Sequence, residues 1–250
     1  MKIHRTIQQK TWPWFQARAG KITGSELGNL ITDKGKLREW KSAMPNSYLH
    51  RKIAEKWRGG PLESFMGSRQ TDQGNIWEPM ARRYFASVLE ADIEEVGGIE
   101  SDDEKLWCSP DGLLRTGPGE EHAFFQGLEI KCPNADTHVG WLLDGPRVPE
   151  EHVLQCQFAL FVTGWPAWKF LSYVKDLPHL AVTVTPDPTL DLVIADAING
   201  FQERFDASWL TLCDLNGGPP TPRPMPNISA GPIKFSWETE PEQERFDINT

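Results

Sequence analysis

The spacing of apolar and polar residues predicts a chain that mixes helices and strands. Apolar residues recur every three to four positions, the period of an amphipathic helix, in segments 48–57, 76–89, 150–162 and 190–212. Gly24-Ser25-Glu26, followed by Leu27, predicts a further capped helix start. Short apolar runs predict strands at 93–99, 106–114, 123–131, 169–174 and 180–184. We therefore predict an α/β (α+β) protein with a central mixed sheet flanked by helices.

The composition changes sharply near the C-terminus. Glycines and prolines dominate the segment 217–226, which cannot form regular hydrogen-bonded structure. The 250-residue chain is otherwise long enough to bury one sizeable core without dividing into two domains. We therefore predict one domain over 1–214, followed by a Pro-rich tail or arm over 215–250.

Two short strings, S-P-D-G-L at 109–113 and L-E-I-K-C-P at 128–133, carry the candidate chemistry. Side chains alternate along a strand, so Glu129 and Lys131 point to the same side while Ile130 points into the core. Asp111 precedes a glycine at the end or bend of another strand, from which its carboxylate can reach the same place. Two carboxylates suit Mg²⁺, and bound divalent metal can activate water for phosphodiester hydrolysis. The strings together predict a nuclease metal site.

The Glu-x-Lys pair and Gln155 also have simpler explanations, and the role of Lys131 has two forms. A Glu-x-Lys tripeptide arises by chance about once in a chain of this length and is usually a solvated pair at a strand edge. Within the catalytic interpretation, Lys131 either acts as a base or stays charged and stabilises the transition state. Gln155, on the predicted helix 150–162, either orients the attacking water or a phosphate oxygen or is half-exposed to solvent.

Charge is distributed unevenly along the chain. The formal net charge is −9, which argues against nucleic acid as a ligand. Residues 1–60, however, contain thirteen Lys and Arg against four Asp and Glu, so the remainder carries −18. This asymmetry predicts a basic face that meets phosphates, although the same charges could be scattered around solvated helices.

Other features narrow the class of protein further. No apolar run approaches the roughly 18 residues of a membrane span, and the N-terminus lacks the apolar region of a signal peptide. The four cysteines show no C-x-x-C spacing, which argues against a zinc site and a disulfide framework. We therefore expect no membrane association and a location in a reducing cytoplasm.

Five blocks of sequence resemble the lambda exonuclease family of phage recombination nucleases, also called YqaJ-like, within the PD-(D/E)XK nuclease superfamily. They are R-A-G-K-I-T-G-S-E at 18–26, G-N-I-W-E-P-M-A-R at 74–82, S-P-D-G-L, L-E-I-K-C-P and Q-C-Q at 155–157. The resemblance implies a PD-(D/E)XK restriction-endonuclease-like core, a mixed sheet between helices. It also implies roles for individual residues: metal ligands at Asp111, Glu129 and the carbonyl of Ile130; a catalytic lysine at Lys131; a further acid at Glu78; an active-site glutamine at Gln155; and a 5′-phosphate pocket of Arg18, Ser25 and Ser109.

The resemblance further implies a Mg²⁺-dependent enzyme, with one or two ions and Mn²⁺ able to substitute. Family members degrade one strand of linear double-stranded DNA from the 5′ end to mononucleotides and leave a 3′ overhang for a single-strand annealing protein. They form a ring-shaped homotrimer and act in a bacterial host cell, encoded by a phage or prophage. Pro79 departs from some relatives, and it is compatible with a helix only in the first turn, where the sequence pattern places it.

Three alternatives remain at this stage. The first is a PD-(D/E)XK endonuclease or other DNA-repair nuclease with a different substrate; a version with an iron–sulfur cluster would need clustered cysteines, and these four are dispersed. The second is a DNA-binding module that kept the fold and lost activity, although Asp111, Glu129 and Lys131 are all present. The third is a scaffold protein whose acidic body and tail bind partners.

Overall fold

The computed structural model describes residues 1–62, 69–116 and 124–221, without the side chains of 69–75, 116, 124 and 125. The N-terminal half contains β1 (Lys2–His4), α1 (Trp12–Arg18), β2 (Ile22–Thr23), a 3₁₀ helix (Gly24–Asn29), α2 (Ala43–Arg58), α3 (Arg69–Val88), β3 (Ile93–Glu94), β4 (Gly98–Glu100) and β5 (Leu106–Cys108). The remainder contains β6 (Gly112–Thr116), β7 (Phe124–Lys131), α4 (Ala135–Leu143), α5 (Glu150–Thr163), β8 (Trp168–Ser172), β9 (Leu180–Val184) and α6 (Pro188–Asn216).

The strands form two mixed sheets where the sequence pattern predicted one. The smaller sheet has the order β1-β4-β5-β2, with β2 parallel to β5 and the other pairs antiparallel. The larger sheet has the order β3-β6-β7-β8-β9, with β7 parallel to β8 and the other pairs antiparallel. The prediction of a mixed sheet flanked by helices is therefore confirmed, but the number of sheets was wrong.

The second sheet arises because two predicted strands each divide between the sheets. The run 93–99 becomes β3 in the larger sheet and β4 in the smaller one, and the run 106–114 becomes β5 and β6. Pro110, which has no backbone N–H to give to a ladder, lies in the second crossover. Asp111 consequently lies where the chain passes from one sheet to the other.

Helices cover both faces of the larger sheet. On the α5 and α6 side, the main core contains large buried side chains that include Tyr48, Phe158, Trp168, Phe170 and Phe201. On the α3 side, a smaller core contains Ala81, Phe85, Leu114, Leu128, Ile130 and Leu171. Because Leu128 and Ile130 pack towards α3, Glu129 and Lys131 project from β7 towards α5.

Several helices differ from the sequence prediction. The segment beginning at Gly24 is a 3₁₀ helix whose N-cap, Thr23, makes no side-chain capping bond. Helix α6 is longer than predicted: it begins beside Asp187, whose side chain accepts from two backbone N–H groups, and ends at Gly217 with φ +73°. The patterns did not predict β1, α1, β2 or α4. The part of the predicted tail beyond Thr221 lies outside the described residues.

Candidate active site

Strand β7 brings a carboxylate and an ammonium together under α5. Glu129 is buried, at 4% exposure, and its Oε1 lies 2.5 Å from Lys131 Nζ. Lys131 Nζ also donates to Gln155 Oε1 of α5, at 3.3 Å. The two-residue period of the strand therefore placed Glu129 and Lys131 on one face as predicted, and Gln155 is held at the same place by Lys131.

Asp111 reaches this group from the crossover between the sheets. Its Oδ2 accepts a hydrogen bond of 2.6 Å from the backbone N–H of Ile130. Strand β6 begins at Gly112, paired with Leu128, so the Asp111 side chain takes the place of the missing strand beyond that point. The carbonyl of Ile130 faces the same strand edge as its N–H, towards Asp111. A Cβ on Gly112 would lie 2.3 Å from Ile93 Cγ2, so only glycine allows the chain to pass this close to Ile93 directly after Asp111.

The electrostatics of the group favour a cation. Burial raises the pKa of Asp111 well above its usual range, and the charges of Glu129 and Glu78 raise it further. Burial also raises the pKa of Glu129, although Lys131 opposes this. Burial disfavours the charge on Lys131, but Glu129 and Asp111 outweigh it and raise the pKa of Lys131. The carboxylates thus outnumber the ammonium in a site shielded from water.

The donor set fits a hard divalent cation. Asp111, Glu129 and the Ile130 carbonyl offer oxygen ligands, which Mg²⁺ prefers. In the part of the chain that the structure describes, no three His, Cys, Asp or Glu side chains are arranged as a metal site. A cation held by two carboxylates and one carbonyl would complete its shell with water, as Mg²⁺ commonly does.

Glu78 approaches the site from α3 and is held by two cations. Its carboxylate oxygens accept from Lys10 Nζ at 3.0 Å and from Arg82 Nη2 at 2.6 Å. Arg82 Nε also donates to the backbone carbonyl of Asp111 at 2.7 Å, so one guanidinium ties Glu78 to the Asp111 crossover. Pro79 lies well inside α3, which begins at Arg69; its predicted place in the first turn was wrong, because the helix starts earlier than the apolar pattern.

Two cavities adjoin the acidic group. The smaller, of about 130 Å³, is lined by Arg18, Ser25 and Ser109 together with Glu129 and Gln155. The larger, of about 420 Å³, is lined by the segment 5–10 and by Glu78, Arg82 and Asp111. The three residues predicted for a phosphate pocket therefore line one cavity, directly beside a candidate metal ligand.

The smaller cavity presents hydrogen-bond donors. The Arg18 guanidinium lies 4.3 Å above the Trp14 ring, which orients it. Ser109 Oγ accepts from the indole N–H of Trp107 at 2.8 Å and, at 3.2 Å, from that of Trp14, which it shares with the Gly97 carbonyl at 2.8 Å. Because both indoles donate to this hydroxyl, its own proton is available to a bound acceptor. An anion is the ligand that such a cavity favours.

Sequence reasoning missed several residues that organise the site, namely Lys10, Trp14, Arg82 and Trp107. Arg82 had a signal in the sequence, since it follows Glu78 by four residues on a predicted helix and i,i+4 pairs of opposite charge commonly interact. Trp14 and Trp107 lie close in sequence to Arg18 and Ser109, but an indole at that spacing does not by itself indicate a site. Lys10 is far from Glu78 in sequence and meets it only through the tertiary fold.

The fold and the site together define a class of protein. Two mixed sheets between helices, with Asp and Glu-x-Lys at neighbouring strand ends, form the PD-(D/E)XK restriction-endonuclease-like core that was predicted. Residues 13–166 match the sequence profile of the YqaJ-like viral recombinase domain. The chain belongs to this YqaJ-like family, which confirms the resemblance found in the sequence.

Solved structures agree with this membership. The chain is similar to an alkaline exonuclease (LHK-Exo) from Laribacter hongkongensis, with a TM-score of 0.67, 26% identity, and coverage of 82% of this chain and 97% of that one. The same values apply to LHK-Exo in complex with dAMP. A phage-related exonuclease from Haemophilus somnus 129PT shares the fold, with a TM-score of 0.54, 14% identity, and coverage of 77% and 96%. The family and the LHK-Exo structures together support a phage-type exonuclease, which is a nuclease hydrolase.

A search of curated protein sequences finds no match to this chain. Among the described helices, none has the length and apolar content required to cross a membrane.

Proposed function

We propose that the protein is a Mg²⁺-dependent exonuclease that degrades one strand of linear double-stranded DNA from its 5′ end and releases mononucleotides. One observation carries the proposal: the small cavity of Arg18, Ser25 and Ser109 directly adjoins Glu129. A guanidinium and two hydroxyls suit a terminal phosphate. An enzyme that holds the terminal phosphate there would cleave the next phosphodiester along the strand.

The sizes of the cavities support this placement of the strand. The smaller one, about 130 Å³, lies below the roughly 300 Å³ at which pockets begin to enclose a drug-sized ligand. Its size therefore suits a phosphate group better than a whole nucleotide. The larger one, about 420 Å³, lies on the Asp111 and Glu78 side and leaves room for the strand to continue in the 3′ direction.

We assign a separate catalytic role to each residue of the site. Asp111, Glu129 and the Ile130 carbonyl would hold Mg²⁺, which supplies a nucleophilic water and neutralises charge on the scissile phosphate when bound. Gln155, bonded to Lys131 Nζ, would orient the water or a phosphate oxygen. Lys131 is kept charged by its carboxylate neighbours, which supports transition-state stabilisation over the role of base. Glu78, held by Lys10 and Arg82, would be the further acid beside the cation.

The proposed biological setting rests on the same family. We propose that the enzyme generates 3′ single-stranded overhangs for a strand-annealing protein during phage recombination in the bacterial cytoplasm. We also propose a homotrimeric ring that encloses the DNA, with Mg²⁺ replaceable by Mn²⁺. These proposals rest on the family and on the site, and the assembly is testable by measuring the mass of the protein in solution.

Digestion of defined DNA substrates tests the proposed activity. The substrates are linear duplexes with 5′-phosphate or 5′-hydroxyl ends and covalently closed circles, each with Mg²⁺ or with EDTA. We expect Mg²⁺-dependent release of 5′-mononucleotides from phosphorylated ends, spared circles and an inactive Lys131→Ala variant. Cleavage of closed circles would instead identify an endonuclease, and binding without hydrolysis in any divalent metal would identify a DNA-binding module.

A further inference from the structure

The string 18–26 contains more polar residues than the phosphate pocket uses. Only Arg18 and Ser25 of this string were assigned to the pocket, yet Thr23 and Glu26 are both buried, at 2% and 7% exposure. Buried polar side chains are retained where they are fully bonded. Their bonds lead from the small cavity into the protein interior.

Thr23 connects Arg18 to Glu26. Arg18 Nη2 donates to Thr23 Oγ1 at 3.3 Å, and Thr23 Oγ1 donates to Glu26 Oε2 at 2.8 Å. A hydroxyl has one proton, so the bond to Glu26 leaves the oxygen lone pairs of Thr23 for the guanidinium. Thr23 lines the small cavity whereas Glu26 does not. Glu26 thus orients the hydroxyl that holds Arg18 without facing the cavity itself.

Helix α2 fixes Glu26 in turn. The two carboxylate oxygens of Glu26 lie 3.0 Å from Arg51 Nη2 and 2.8 Å from Lys52 Nζ, both on this helix. Lys52 also lies 3.0 Å from Glu55 Oε2, which accepts from the backbone N–H of Gly20 at 3.1 Å. We call these buried or part-buried charges, Arg18, Glu26, Arg51, Lys52 and Glu55, the inner charge cluster.

The inner charge cluster has one more cation than it has anions. Burial lowers the pKa of Arg18, and the negative charge of Glu26 opposes this most strongly. Arg18 is the member that lines the small cavity. An anion bound there therefore meets a positive charge that is already desolvated and whose hydrogen-bond partner is already in place. A terminal phosphomonoester carries close to two negative charges at neutral pH, whereas an internal phosphodiester carries one.

We propose that Thr23 and Glu26 are positioning residues that hold Arg18 for the doubly charged 5′-terminal phosphate and thereby set the preference for phosphorylated ends. This inference rests on the proposed function. Glu26 acts through Thr23, and Thr23 acts through Arg18. Because the proton of Thr23 is given to Glu26, Thr23 does not donate to the phosphate itself.

Four variants test the proposal. Thr23→Val removes the connecting hydroxyl, and Thr23→Ser keeps it. Glu26→Gln removes the charge that orients the hydroxyl. Glu55→Gln is the matched control, since it removes a carboxylate from the same cluster that does not contact Thr23. The measurement is the ratio of kcat/KM on 5′-phosphorylated duplex to kcat/KM on 5′-hydroxyl duplex, with thermal unfolding of each variant alongside.

We expect Thr23→Val and Glu26→Gln each to lower this ratio about tenfold, the effect of a lost hydrogen bond worth about 1.4 kcal/mol. Thr23→Ser should keep the wild-type ratio, and Glu55→Gln should not lower it, even where Glu55→Gln lowers the unfolding temperature. The proposal is overturned if Thr23→Val and Glu26→Gln reduce activity equally on both substrates, because the cluster would then be purely structural. If the wild-type enzyme itself shows no preference for phosphorylated ends, the phosphate pocket fails and this inference fails with it.

Discussion

Replacing Lys131 by methionine separates the ion-pairing role of this residue from its catalytic role. Methionine keeps the approximate length of the side chain and removes the charge. The Lys131 ammonium lies 2.5 Å from Glu129 Oε1, and the two side chains are 27% and 5% exposed. Removing one partner of a fully buried pair costs about 3–5 kcal/mol. Because the ammonium is partly exposed, we expect a cost of about 2–3 kcal/mol in the metal-free protein.

Thermal unfolding in EDTA at pH 7 measures this cost. For a chain of this size, each kcal/mol corresponds to about 2–4 °C, so Tm should fall by about 4–12 °C. The difference in Tm between the variant and wild type should shrink at lower pH. The pKa values of Asp111 and Glu129 are already raised, so these carboxylates take up protons on mild acidification and no longer repel each other in the variant. Added Mg²⁺ should also reduce the deficit, whereas cleavage should remain at least about 100-fold below wild type.

Lys169→Met provides the matched control on the neighbouring strand. Lys169 Nζ donates to Thr183 Oγ1 at the surface and has no carboxylate partner among the described contacts. Its Tm should change little at any pH. If Lys131→Met and wild type unfolded at the same temperature in EDTA at pH 7, the buried ion pair with Glu129 would contribute no stability and the reasoning would be refuted.

Three further predictions concern packing, pH and DNA binding. Gly127→Ala should lower the free energy of unfolding in urea by about 3 kcal/mol or more, because the new Cβ would lie 2.1–2.4 Å from three ring atoms of buried Trp168. Gly140→Ala, where a Cβ would meet open space, is the control. An unchanged urea midpoint for Gly127→Ala would contradict the packing. Burial lowers the pKa of His152 to about 3, so below about pH 6.5 the unfolded chain takes up a proton that the folded chain does not. The free energy of unfolding of the wild type should therefore fall by up to about 1.4 kcal/mol per pH unit on acidification. His152→Phe should lose less stability over the same range, and identical pH profiles of unfolding would refute this. Lys10→Met should weaken DNA binding and reduce by about one the slope of the logarithm of the binding constant against the logarithm of salt concentration. Fluorescence anisotropy measures this slope, with Lys41→Met as the control. A slope equal to that of the wild type would exclude a phosphate contact by Lys10.

The sequence by itself determined the local part of the site. A strand alternates its side chains with a period of two, so Glu129 and Lys131 had to share a face wherever that strand packed. Asp111-Gly112 similarly indicated a chain bend with a carboxylate beside it. The five sequence blocks also determined the family, because their order and spacing are far more specific than any one of them.

Tertiary structure alone decided what lies around these residues. The runs 93–99 and 106–114 each divide between two sheets, and no local pattern distinguishes one bent strand from two strands with different partners. Helix α3 begins at Arg69, so Pro79 is interior where the apolar pattern placed it in the first turn. The indole N–H of Trp14 reaches Ser109 Oγ although the two residues are far apart in sequence. Hydrophobic periodicity reports which face of an element is buried, whereas hydrogen-bond partners across distant segments depend on packing that the periodicity does not encode.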